Sequence, residues 1–110
     1  KVFINRYDYL SIESGGIPNE FALHENYPNP FNPTTQIRFD LPETSNVNLT
    51  IYNMLGQRVK AFNMESAPAG YHALTWNATN DLGSPVSAGV YLYQLQTKEF
   101  VKTKKMVLLK

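Results

Sequence analysis

The chain has 110 residues, 43% of them hydrophobic and 13% aromatic, with a charged fraction of 17% and a formal net charge of +1. That length serves one domain with its own core; the apolar content excludes general disorder, and the near-zero charge, with no basic run interleaved with aromatics, excludes nucleic acid as a partner. There are no cysteines, hence neither a disulfide framework nor a thiolate metal site, and no apolar run approaches the roughly 20 residues of a transmembrane helix.

The first ten residues lack the apolar centre of a secretory signal, and a chain that begins on lysine is expected to be a fragment or a processed product of a longer one. Residues 2–4 and 7–12 have strand composition, and Ser14-Gly15-Gly16-Ile17-Pro18 reads as a linker. The boundary is therefore placed at Ile17. Residues 1–17 form an N-terminal segment, a passenger tail or an extra strand, and residues 18–110 form the folded domain.

Asn26-Tyr27-Pro28-Asn29-Pro30-Phe31-Asn32-Pro33-Thr34 sets three prolines and two aromatic rings within nine residues. Each proline fixes its own φ, removes a backbone donor and drives the preceding residue toward extended backbone, so neither a helix nor a central strand forms here. The expected product is a stiff structural clamp. In it Tyr27, Pro28, Pro30, Phe31 and Pro33 hold the start of the first long strand, and the rings of Tyr27 and Phe31 press onto the domain.

Short alternating runs follow, separated by Gly, Pro, Asn and Ser clusters. Residues 35–41 place Ile37, Phe39 and Leu41 on one face and Gln36, Arg38 and Asp40 on the other, and Pro42 ends the run. Val47, Leu49 and Ile51 repeat the pattern against Asn48, Thr50 and Tyr52. Leu55-Gly56-Gln57 then supplies a turn, and residues 58–64 form the return strand. Ala67-Pro68-Ala69-Gly70 breaks the chain before residues 71–76, which end on the only tryptophan, Trp76, a core side chain. In the polar loop that comes next, Asn80-Asp81-Leu82-Gly83 suits a tight turn. Residues 90–95 are apolar on both faces, as a central strand requires, and residues 97–99 turn the chain into a last strand over 100–110. The pattern is all-β, an antiparallel sandwich.

Catalytic chemistry finds no constellation. His24 stands beside Glu25 and His72 among aromatics, with no serine or carboxylate spaced to complete a triad, so the chain is read as non-enzymatic. Asn77, Asn80 and Asp81 lack the acidic density of a calcium loop, and neither a metal nor a cofactor is assigned. The charge distribution is more informative. Five of the seven lysines (Lys98, Lys102, Lys104, Lys105 and Lys110) fall in the last thirteen residues, which gives one end of a near-neutral domain a positive field. Lysines on a terminal strand guard a sheet edge, and an extended partner can also read such a strand through its backbone, its lysines or its free carboxylate. On the second reading the recognition residues are Lys102, Lys104, Lys105, Met106, Val107, Leu108, Leu109 and Lys110.

Phe21-Ala22-Leu23, the Asn26 to Thr35 proline segment, Ile37-Arg38-Phe39 and Leu41-Pro42 together resemble the opening of the type A C-terminal sorting domain of the type IX secretion system. Leu49-Thr50-Ile51-Tyr52-Asn53-Met54-Leu55-Gly56-Gln57-Arg58-Val59, Ala69-Gly70-Tyr71-His72, Trp76-Asn77, Gly89-Val90-Tyr91-Leu92-Tyr93 and Lys105-Met106-Val107-Leu108 continue it in the same order. The domain is also similar to the immunoglobulin-like domain of flagellar hook-capping proteins. The resemblance implies an immunoglobulin-like sandwich of about seven strands that directs a secreted bacterial passenger across the outer membrane to the cell surface, with the outer-membrane secretion machinery as partner.

Two other readings remain open. The apolar N-terminal segment can add as a strand to a neighbouring copy, giving a homo-oligomer or filament. Alternatively Tyr7, Tyr9, Tyr52, Tyr71, Tyr91 and Tyr93 can stack on polysaccharide, as in an accessory module of a secreted hydrolase.

Overall fold

Seven short runs rich in β-branched, leucine and aromatic residues pair into two antiparallel sheets. The structure, a computed structural model, describes residues 17–109; the strands expected over residues 2–4 and 7–12, and Lys110, lie outside them. In chain order the strands are β1 (Ala22–Leu23), β2 (Thr35–Leu41), β3 (Ser45–Tyr52), β4 (Arg58–Ala67), β5 (Gly70–Trp76), β6 (Gly89–Gln96) and β7 (Val101–Leu108). One sheet runs β1-β2-β5 and the other β4-β3-β6-β7. The alternation predicted this sandwich.

Two-residue periodicity decides what lies between the sheets. From β2 the side chains of Thr35, Ile37, Phe39 and Leu41 turn inward, and from β3 those of Val47, Leu49 and Ile51, all at most 1% exposed. β6 adds Tyr91, Tyr93 and Leu95, and β7 adds Met106 and Leu108. Each large aliphatic or aromatic side chain removed from water in this way contributes about 1.5–3 kcal/mol. β6 lies between β3 and β7; Tyr91, Tyr93 and Leu95 face the core, while Val90, Leu92 and Gln94 on the outer face are half-buried.

Two turns at the same end of the sandwich are built alike. Asn53 Oδ1 accepts the N–H groups of Leu55 and Gln57 at 2.9 and 3.0 Å. Asn80 Oδ1 accepts those of Leu82 and Ser84 at 2.9 and 3.0 Å. In both, a glycine three residues after the asparagine takes positive φ, 83° at Gly56 and 86° at Gly83, a backbone that glycine alone adopts without strain. The second turn also covers the start of the β4 edge. Asp81 donates its N–H to Val59 C=O at 3.0 Å, accepts Ala61 N–H at 3.1 Å and pairs with Arg58 at 3.2 Å, so the loop answers the outer backbone of β4.

The chain enters and leaves the fold at opposite ends. Phe21 stacks on Phe100, ring centroids 5.5 Å apart, beside the β2–β3 and β6–β7 connections. From there the leader, residues 21–34, runs alongside β7 to the far end, where the last described residue, Leu109, donates its N–H to Phe31 C=O at 2.8 Å.

Candidate recognition site

The leader begins in one sheet and finishes in the other. Ala22 and Leu23 pair with Asp40 and Phe39 of β2, and His24 Nε2 meets Asp40 Oδ2 at 2.9 Å, which fastens β1 to the three-stranded sheet. Tyr27 still pairs with Gln36. Four residues later Phe31 forms a parallel bridge to Leu108. Pro28 and Pro30 occupy this crossing and Pro33 follows it, and all three Xaa–Pro bonds are cis. A proline-rich strip suits it because no continuous ladder is needed while the chain changes partners.

A buried polar knot sets the crossing. Asn26 is 3% exposed; its backbone N–H donates to the Tyr93 hydroxyl at 2.9 Å, and that hydroxyl donates to His24 C=O at 2.8 Å. Asn26 Nδ2 donates to Thr35 Oγ1 at 3.0 Å, which donates in turn to Pro28 C=O at 2.9 Å. Burial of the phenol pushes the Tyr93 pKa up to about 12, opposed by the Asn26 hydrogen bond and reinforced by the nearby Glu25 charge.

The proline segment and the terminal strand, expected as two separate features, form one surface. Phe31 accepts Leu109 N–H through its carbonyl and donates its own N–H to Val107 C=O at 3.0 Å. Asn29 Oδ1 accepts Val107 N–H at 3.0 Å. A side-chain carbonyl thereby stands in for strand backbone at a residue hemmed by Pro28 and Pro30. Midway along, Lys104 Nζ reaches Glu25 Oε2 at 3.1 Å. Lys104 shares the inward parity of Met106 and Leu108, so its stem lies between the sheets and its charge emerges at their margin.

Several expected contacts differ. Phe31 is buried at 1% exposure, its ring 5.8 Å from that of Trp76, but Tyr27 is 73% exposed. Its backbone pairs with Gln36, an outward position, so the ring points away from the domain. Pro28, Pro30 and Pro33 are also exposed. The contacts that hold the segment therefore come from Phe31, Asn26 and Asn29. Among the recognition residues, Met106 and Leu108 are core side chains, 0% and 1% exposed, and cannot be touched from outside. Val107 and Leu109 have their outer backbone groups occupied by the leader. Lys102 and Lys105 are exposed, Lys104 is half-buried, and Lys110 lies outside the described residues.

The asparagines and the Glu25–Lys104 pair were not identified from the sequence. The signal available was asparagine standing before proline at 29 and 32, where a side-chain amide can supply what proline removes. Tyr91 and Tyr93, two rings that a glycan platform would use, are buried. Among the described residues there is no group of three or more His, Asp or Glu side chains able to hold a metal ion, and no helix long and apolar enough to cross a membrane.

Comparison with known proteins accords with this geometry. No curated protein matches the chain. Dimeric latent PorU from Porphyromonas gingivalis contains a domain similar to it at TM-score 0.63 and 21% identity, over 84% of this chain and 9% of PorU. PorZ from the same organism, an essential bacterial surface component of the type-IX secretion system, is similar at TM-score 0.57 and 20% identity, over 81% of this chain and 12% of PorZ. FlgD from P. aeruginosa is similar at TM-score 0.54 and 27% identity, over 67% of this chain and 57% of FlgD. The chain thus spans a small part of the first two proteins and little more than half of the third. The family model of the FlgD Ig-like domain matches residues 27–99; with more than half of its length so matched and two antiparallel sheets in its fold, the chain belongs to the FlgD Ig-like domain family.

Proposed function

We propose that the chain is a non-enzymatic sorting and anchoring domain, which directs a passenger polypeptide across a bacterial outer membrane to the cell surface through recognition of β7 by the outer-membrane secretion machinery. The observation that carries this reading is the position of β7. The strand holding the cluster of lysines is an edge strand, and the Asn-Pro-Phe-Asn-Pro motif that resembles type A sorting domains meets its last residues through Asn29 and Phe31. The motif and the basic strand are thus parts of one exposed margin. The likeness to domains of PorU and PorZ adds support, since PorZ is a surface component of the type-IX secretion system.

The test is a reporter fused ahead of Phe21 and expressed in a host that has type IX machinery. The wild-type fusion reaches the cell surface, and the double variant Lys102→Glu/Lys105→Glu, which changes exposed side chains only, holds it in the periplasm. A wild-type fusion that stays in the periplasm would sink the proposal.

A further inference from the structure

We infer that the open half of the β7 edge, residues 101–105, accepts an extended strand from another polypeptide, and that this strand is acidic. Parity along β7 locates the acceptor. The leader takes up the outer backbone groups of Val107 and Leu109, so residues of the same parity turn their N–H and C=O away from β6. These are Val101, Thr103 and Lys105. Among the described residues nothing answers their outward groups. All three are exposed, Val101 at 56%, and Val101 and Thr103 are β-branched residues suited to a pleated surface. Five residues of edge span about 17 Å, enough for a five-residue strand.

The other edge of the same sheet is treated differently. Asp81 answers Val59 and Ala61 of β4, and the β3–β4 pairing shifts register near both of its ends, which disturbs the edge for strand addition. The β4 edge is covered at Val59 and Ala61 and irregular near both ends, whereas β7 is covered only over its last residues and pairs with β6 in unbroken register.

Charge selects the occupant. Lys104 is engaged with Glu25, while Lys102 and Lys105 are exposed on opposite faces of the strand, with Lys98 in the preceding turn. Residues of an added strand lie about 4.5–5.5 Å from those they oppose, so acids facing Lys102 and Lys105 are favoured and bases are repelled. A second copy of this chain would bring lysines against lysines through β7, or Arg58 and Lys60 through β4. The residues that discourage self-pairing therefore favour an acidic strand of another protein. The inference names the partner chemistry at the site proposed above, and rests on that reading only for its relevance to export.

The experiment uses a capped seven-residue peptide alternating valine and glutamate, whose glutamates share one face and so meet either Lys102 or Lys105, with its valine–lysine counterpart as control, and follows amide hydrogen exchange in the whole chain by NMR. The glutamate peptide is expected to slow exchange at Val101, Thr103 and Lys105 about threefold when present at twice its dissociation constant, and the lysine peptide to leave these amides unchanged. Thr103→Pro removes an outward N–H that β6 does not use, so it abolishes the protection while the fold persists. If that variant does not fold, Lys102→Glu/Lys105→Glu serves instead and reverses the preference between the peptides. The inference is overturned by absence of protection at saturating glutamate peptide, by equal protection from both peptides, or by protection confined to β4. These results are separable from the sorting reading. A wild-type chain that binds the peptide yet exports no reporter removes sorting and leaves the acceptor edge, whereas export without peptide protection removes the acceptor edge alone.

Discussion

The Tyr93 hydroxyl and the Asn26 backbone N–H, 2.9 Å apart, fix the point at which the leader departs from one sheet toward the other. The hydroxyl also donates to His24 C=O, so one side chain satisfies two backbone groups. Removing it leaves both without a partner. Tyr93→Phe is expected to lower stability by about 1–3 kcal/mol at neutral pH, measured by urea unfolding.

The same phenol gives the fold an alkaline limit. Its folded pKa of about 12 stands above the ordinary 10.0, so the unfolded chain loses the proton first. Stability is full below pH 10 and falls as pH rises from 10 to 12, by about 3 kcal/mol once both states are ionised. Burial raises Tyr91 in the same direction. Unfolding free energy measured between pH 9 and about 12 should fall less steeply in Tyr93→Phe than in the wild type.

Phe31 and Asn29 hold the leader on β7 by different means, and their variants should separate. Phe31→Ala deletes a buried ring against Trp76 and is expected to cost about 3–5 kcal/mol. Asn29→Ala removes one exposed hydrogen bond, costs about 0.5–1.5 kcal/mol, and speeds amide exchange at Val107 while other core amides keep their protection.

Truncation after Lys105 tests folding before it tests export. The deleted residues include Met106 and Leu108, both in the core, and each such loss costs about 2–5 kcal/mol against a total stability of about 5–15 kcal/mol. The truncated chain is expected to lose native dispersion in its NMR spectrum. For this reason recognition is tested with surface substitutions.

The Lys104–Glu25 pair contributes little. Glu25 is 72% exposed at its side chain, so water screens the attraction, and Glu25→Gln should change stability by less than about 1 kcal/mol. Lys104→Met keeps the stem between the sheets and should leave stability near the wild-type value in the same urea titration.

Alternation made β2 and β3 legible because each has one face against the core and one against water. Asn80-Asp81-Leu82-Gly83 was legible for another reason, since its φ requirement is local. The leader follows neither rule. Prolines erase periodicity, so nothing in the order of residues 26–34 said that Phe31 turns inward while Tyr27 turns out. The Asn29–Val107 contact joins residues 78 apart, a separation at which local pattern carries no information. The lysines marked β7 as a guarded edge, but the division of that edge into a sealed end and an open one exists only once the leader is laid along it.

Because Phe21 lies at one end of β7 and Leu109 at the other, a load applied between these two residues acts lengthwise along the strand. Eight residues of β7 separate the two points by about 25 Å. Tension in that direction shears the β6–β7 ladder and the leader's bonds to β7, so many bonds resist together instead of opening one at a time. A partner gripping β7 would therefore pull against a sheet loaded in shear, the direction in which it yields last.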